Sequence, residues 1–91
     1  MLTLYLSLID TQEERDKFER LFHQYERCLK YTAQNILFDE HLAEDAVQET
    51  FCRFYQAMER VKEKEHVKGW LLVTAGNVCK NILKHWWRKN R

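Results

Sequence analysis

The sequence predicts an all-α domain, a compact bundle of three main helices plus a short N-terminal element. Three observations carry that prediction. The chain has no proline and only two glycines, Gly69 and Gly76, so it lacks the residues on which tight turns and strands depend. Apolar residues recur at three-to-four spacing along three separate stretches. Hydrophobic residues make up 45% of the chain, too many for a disordered tail. Its 91 residues form one domain, 1–91, with a modest core and near the lower end of comfortable stability.

The N-terminal MLTLYLSLI is apolar but too short to span a bilayer, and it lacks the basic start and cleavage site of a signal peptide. It is expected to pack on the bundle as a short helix or extended arm. Thr11 with Glu14 then has the form of a capping box, in which hydroxyl and carboxylate satisfy free amide donors at a helix start. From there Phe18, Leu21, Phe22, Tyr25, Leu29, Thr32, Ala33 and Ile36 share one face, predicting a first helix over roughly residues 12–37. Glu26, four residues before Lys30, is placed for a surface ion pair worth about 0.3 kcal/mol.

Asp39 can cap a second helix over roughly 40–60. Ala43, Val47, Thr50, Phe51, Phe54 and Met58 fall on one side of it, and Asp45, Gln48, Glu49, Cys52 and Gln56 on the other. A solvated face usually mixes in Lys and Arg, and this row has none. One side can enter a core while the other offers carboxylates and amides to a partner.

Residues 60–68, RVKEKEHVK, carry no apolar stripe and predict a loop or frayed turn before a third helix that starts at about Val67 or Gly69. Its core stripe is Leu71, Ala75, Val78, Cys79, Ile82, Leu83 and Trp86. The opposite side collects Asn77, Lys80, Asn81, Lys84 and Arg88, with Val73 among them. Gly76 costs this helix about 1 kcal/mol against alanine; close packing and close approach of another backbone are both open explanations. Trp87 points away from the stripe, where stacking on a base and cover by another segment are both open.

Charge is distributed unevenly. Residues 1–59 hold six Lys/Arg against twelve Asp/Glu, net −6, and residues 60–91 hold nine against two, net +7. That split predicts a polyanionic partner for the C-terminal third. Lysines there neutralise phosphate and asparagines read base edges, although a basic bias at a helix C-terminus also suits the helix dipole. Cys28, Cys52 and Cys79 lack CxxC spacing and predict reduced thiols in a cytosolic protein. The four histidines show no ligand spacing, so neither a metal site nor a cofactor is expected. No carboxylate pair or nucleophile–base spacing emerges, and Cys52 beside acids is poorly placed for a low thiol pKa, so an enzyme is not expected.

The block AEDAVQETF, followed after the charged segment by GWLLVTAGN, resembles region 2 of bacterial RNA polymerase sigma factors of the sigma-70 family, in particular the extracytoplasmic-function (ECF) group. The resemblance covers roughly residues 18–91. It rests on the family pattern Ala-Glu-Asp, two variable or apolar residues, then Gln-Asp/Glu-x-Phe. It implies a cytoplasmic helical bundle that docks on a coiled coil of the largest subunit of core RNA polymerase and that recognises and helps melt the minus-ten promoter element, partly single-stranded, with no membrane and no cofactor. By position, Asp45, Gln48 and Glu49 would bind polymerase, with Cys52 and Arg53 nearby. Gly69-Trp70-Leu71 followed by Ala75 and Asn77 resembles the family's Trp-Leu, Ala-x-Asn signature. Asn77, Lys80 and Asn81 would then face the promoter, extended by Val73, Lys84 and Arg88. The loop with Lys62, Lys64 and Lys68 would capture a flipped-out base, and Trp70 would either anchor that loop or touch melted DNA. An anti-sigma factor is a further partner that the resemblance allows. The chain departs from the family at Gly76, where an Arg or another large residue is common. The second, minus-thirty-five-reading helix-turn-helix domain is expected to be absent. The rival expectation is a sigma-like protein-interaction bundle, binding polymerase or an anti-sigma factor, without promoter recognition.

Overall fold

Helix α1 (Gln12–Leu37, 26 residues) forms because its apolar residues keep one face from Phe18 to Leu37. The computed structural model describes residues 12–58 and 64–90, apart from the side chains of Lys64 and Glu65. The N-terminal element, the Thr11 half of the capping box and Lys62 lie outside the described residues. Glu13 and Glu14 in the first turn of α1 complement the helix dipole. Phe18, Leu29, Ala33 and Leu37 are buried, while Leu21, Phe22, Tyr25 and Ile36 pack half-buried against the core.

The turn out of α1 takes only two residues. Phe38 adopts a left-handed φ of 53°, and its N–H donates to the Gln34 carbonyl at 2.8 Å, the arrangement that usually selects glycine after a helix. Asp39 is extended, and its carboxylate accepts the Leu42 N–H at 2.9 Å, so the expected N-cap is present. Helix α2 (Glu40–Ala57) buries Ala43, Val47, Thr50, Phe51 and Phe54 as expected, together with Ala46 and Ala57. The Thr50 hydroxyl donates to the Ala46 carbonyl at 2.7 Å, which lets a polar side chain sit in the core.

Helix α3 (Lys64–Lys89) starts earlier than the loop expectation allowed. The cause is Val67, only 2% exposed: it extends the Leu71–Ala75 row by one turn and anchors a first turn that opens with two good helix formers, Lys64 and Glu65. Lys64 and Lys68 therefore belong to a helix and not to a loop.

The three helices pack pairwise around a core of two hydrophobic clusters. At one end Phe18 is its hub, edge-on to Phe51 at 6.1 Å and to Tyr55 at 6.4 Å, and stacked near Phe54 at 6.4 Å. Burial of each such ring contributes about 1.5–3 kcal/mol. Towards the Phe38 turn the layer is built from smaller residues, Ala33, Ala43, Ala46, Val78 and Cys79. Trp86 keeps the azimuth of the core stripe but is 48% exposed, because it lines an open groove between α2 and α3 rather than the packed layer. A Cβ built on Gly69 or Gly76 meets nothing within 4 Å. Neither close packing nor a neighbouring backbone within the described residues accounts for Gly76.

Candidate functional site: two exposed faces on one bundle

The outward side of α2 begins with a division of its acids. Glu40 and Glu44 turn towards α1, where Lys30 Nζ lies 3.6 Å from Glu40 Oε1 and 3.3 Å from Glu44 Oε1. Lys30 thus crosses between helices rather than pairing with Glu26 in its own helix. The Glu44 hydrogen bond holds the Lys30 ammonium above its ordinary pKa; burial opposes the shift, and the charges of Glu44 and Glu40 add to it. Asp45 and Glu49 are exposed on the α3 side of the same helix, where they line a groove with Leu42. Gln48 and Cys52 are half-buried. Gln48 lines a smaller α1–α2 groove instead, so the row expected to act together spreads over two grooves. Arg53 folds back along α2, its Nε donating to Glu49 Oε1 at 3.2 Å. The acidic row therefore does carry a cation, one turn along from Glu49.

On α3, Val73, Asn77, Lys80, Lys84 and Arg88 are all exposed, and about 100° per residue puts them on one outward side. Lys68 is exposed as well. No carboxylate occurs between residues 66 and 90, so the charged side chains on this side are all cations. Trp70 is half-buried and packs edge-on against Phe54 at 5.7 Å, joining the core cluster. Its local role is packing, which leaves only part of the indole to a partner. Asn81 departs from its expected neighbours. It is exposed, but it lines the α2–α3 groove with Asp45, Glu49 and Arg53. The two faces are distinct, and they meet along this groove.

Sequence reasoning missed His85 and Lys89, which line the far wall of that groove. Helical spacing alone places them beside Val78 and Ile82, so that signal was present. It also missed Lys30, whose partners on α2 no local pattern identifies. The three cysteines are free thiols: Cys28 is exposed, Cys52 intermediate and Cys79 buried. Burial pushes the Cys79 thiol up, away from reactivity. Among the described residues no three His, Cys, Asp or Glu side chains gather as a metal site would need, and no helix is long and apolar enough to cross a membrane.

The model of one protein family, sigma-70 region 2, matches residues 21–91 of this chain. No curated protein and no solved structure matches it. The family match covers α1 from Leu21 onward and all of α2 and α3, including their outward sides described above. The chain therefore belongs to the sigma-70 region 2 family, the non-enzymatic transcription-initiation domain that binds core RNA polymerase and recognises promoter DNA.

Proposed function

We propose that this chain is a region 2 domain of the extracytoplasmic-function group, working in the cytoplasm as a two-sided adaptor. Asp45 and Glu49, with Gln48, Cys52 and Arg53 beside them, dock on the coiled coil of the largest polymerase subunit. The outward side of α3 engages the minus-ten element as it melts. The supporting observation is the separation of charge. Asp45 and Glu49 stand exposed on the α3 side of α2, apart from Glu40 and Glu44 that pair with Lys30, and a carboxylate-free side carrying Asn77, Lys80, Lys84 and Arg88 stands on α3.

The physics of each side follows from its composition. Carboxylates at a groove rim steer and orient a basic partner helix, and charge reversal there slows encounter and misaligns docking. Lys80, Lys84 and Arg88 each neutralise a phosphate and release counterions. Asn77 can donate to and accept from one base edge, and the unpaired bases of a melted element expose that edge fully. Lys68 and part of Trp70 border this side and belong to the same proposed surface, as does Val73 through apolar contact; Lys62 and Lys64 are assigned to it from the sequence alone. Asn81, at the groove, would touch whichever partner approaches the shared border.

The test is a matched pair of variants. Asp45→Lys with Glu49→Lys is expected to weaken capture of core polymerase while leaving DNA binding in place; unchanged capture by a folded variant counts against the α2 assignment. Lys80→Ala with Lys84→Ala is expected to lower the salt slope of single-strand binding by about 0.7 per lost phosphate contact. An identical slope removes those lysines from the interface. A folded chain that captures polymerase and shows no preference for single-stranded promoter DNA is the protein-interaction bundle instead.

A further inference from the structure

The C-terminal end of α3 carries two adjacent tryptophans in different surroundings. Trp86 lines the α2–α3 groove near Leu42, Asp45 and Glu49. Trp87 lies outside that groove and is 62% exposed. Helical geometry sets it about 20° from Lys80 and about 60° from Lys84 around the helix axis, two turns and one turn further on. It shares their side rather than that of the acids.

The helix end that carries the indole is closed, and its ring has an aromatic neighbour. The Trp86 carbonyl accepts both the Asn90 N–H at 2.9 Å and the Asn90 side-chain amide at 3.0 Å, which closes the last turn and keeps residue 87 helical. The Trp86 ring stands perpendicular to that of Trp87, with centroids 5.9 Å apart at 89°, bracing it from the groove side. Around the pair stand Lys80, Lys84, Arg88 and Lys89, with no carboxylate on α3 after residue 65.

An exposed, braced aromatic face among cations has the make-up of a platform for unstacked bases: the ring takes the base while the cations take the phosphates on either side. An apolar protein partner would have to accommodate those cations; a single strand supplies their counter-charge. Resting on the promoter-facing role proposed above for α3, the geometry points to Trp87 as a stacking platform for an unpaired base of single-stranded DNA, two turns beyond Lys80. The indole contributes affinity without neutralising charge, so its effect is independent of salt, unlike that of the lysines.

The experiment measures binding of the full chain to a fluorescein-labelled single-stranded oligodeoxynucleotide of mixed sequence, and to its duplex, by anisotropy across a salt series. Trp87→Ala, Trp87→Leu, Trp87→Phe and Lys80→Ala/Lys84→Ala are compared with the parent, and thermal melts verify folding. Trp87→Ala and Trp87→Leu are each expected to weaken single-strand binding on the order of tenfold with an unchanged salt slope. Trp87→Phe keeps a ring face and is expected to stay within about threefold. Duplex binding changes less in every Trp87 variant.

Parental affinity in Trp87→Ala, alongside a weakened lysine variant, overturns the stacking role and leaves the α3 surface standing. Full retention by Trp87→Leu also overturns it, since an apolar contact then suffices. Absence of single-strand binding by the parent sinks both this role and the reading beneath it. Sedimentation velocity covers the remaining occupant: a parent dimer that Trp87→Ala converts to monomer, with DNA affinity unchanged, assigns the indole to a second copy of the chain and overturns the proposal.

Discussion

Replacing Gly76 with alanine tests whether the backbone of α3 is under-stabilised where it faces the proposed DNA surface. Gly76 sits in the interior of a 26-residue helix, and its φ is not positive, so an L-residue fits its conformation. A Cβ added there meets nothing within 4 Å, so no steric cost offsets the helix-propensity gain. Glycine loses more conformational freedom on folding than alanine and costs a helix interior about 1 kcal/mol. For a domain of 91 residues, that gain raises the melting temperature by about 4–8 °C. Thermal unfolding followed by circular dichroism at two protein concentrations provides the reading. An unchanged or lowered midpoint refutes the reasoning, because it would require a contact at residue 76 that the packing lacks. Gly76→Arg is expected to share much of that gain and also to add a cation on the side of α3 that carries Lys80. Its single-strand salt slope is then expected to steepen by about 0.7, which Gly76→Ala leaves unchanged.

Phe38→Gly is expected to stabilise the α1–α2 turn by about 1 kcal/mol, since a left-handed φ of 53° burdens a residue with a Cβ and a side chain that is 85% exposed forfeits little packing; a lower melting temperature would show that the ring holds the corner. Lys30→Met is expected to lower the melting temperature by an amount that shrinks in high salt, because it removes a bridge to Glu40 and Glu44. The raised pKa of Lys30 also sets the pH window: its contribution is complete below the ordinary value of 10.5 and is lost as pH climbs through the elevated one. A wild-type minus Lys30→Met difference that grows above that range would contradict the pairing. Alkylation followed by mass spectrometry is expected to modify Cys28 first and Cys79 only on unfolding, given their exposure and the raised Cys79 thiol pKa; early labelling of Cys79 would contradict its burial.

Much of the fold was legible because its signals are local. The periodic apolar face of α1 and the Asp39 cap place two helices and the turn between them without reference to anything distant. The departures share one cause: periodicity reports an azimuth, not what stands opposite it. Trp86 has the azimuth of a core residue, but it lines an open groove between α2 and α3 rather than the packed layer. Val67 has the same azimuth, but charged neighbours mask it in sequence, so the start of α3 read as loop. Asn81 lies one position from Lys80, which is enough to turn it into the α2–α3 groove. Lys30 had a plausible partner in Glu26 within its own helix, and tertiary packing offered two carboxylates on α2 instead. The outward sides of α2 and α3 were legible as faces; their common border at Asn81 depends on how the two helices dock, which local sequence does not encode.

The most direct measurement is an amide chemical-shift map of the full chain, titrated separately with single-stranded promoter DNA and with the coiled coil of the largest polymerase subunit. Two faces predict two maps. DNA shifts amides around Asn77, Lys80, Lys84 and Arg88, the coiled coil shifts those around Asp45, Glu49 and Arg53, and only the neighbourhood of Asn81 responds to both. A single shared map, or a DNA response confined to α2, would contradict the two-sided account.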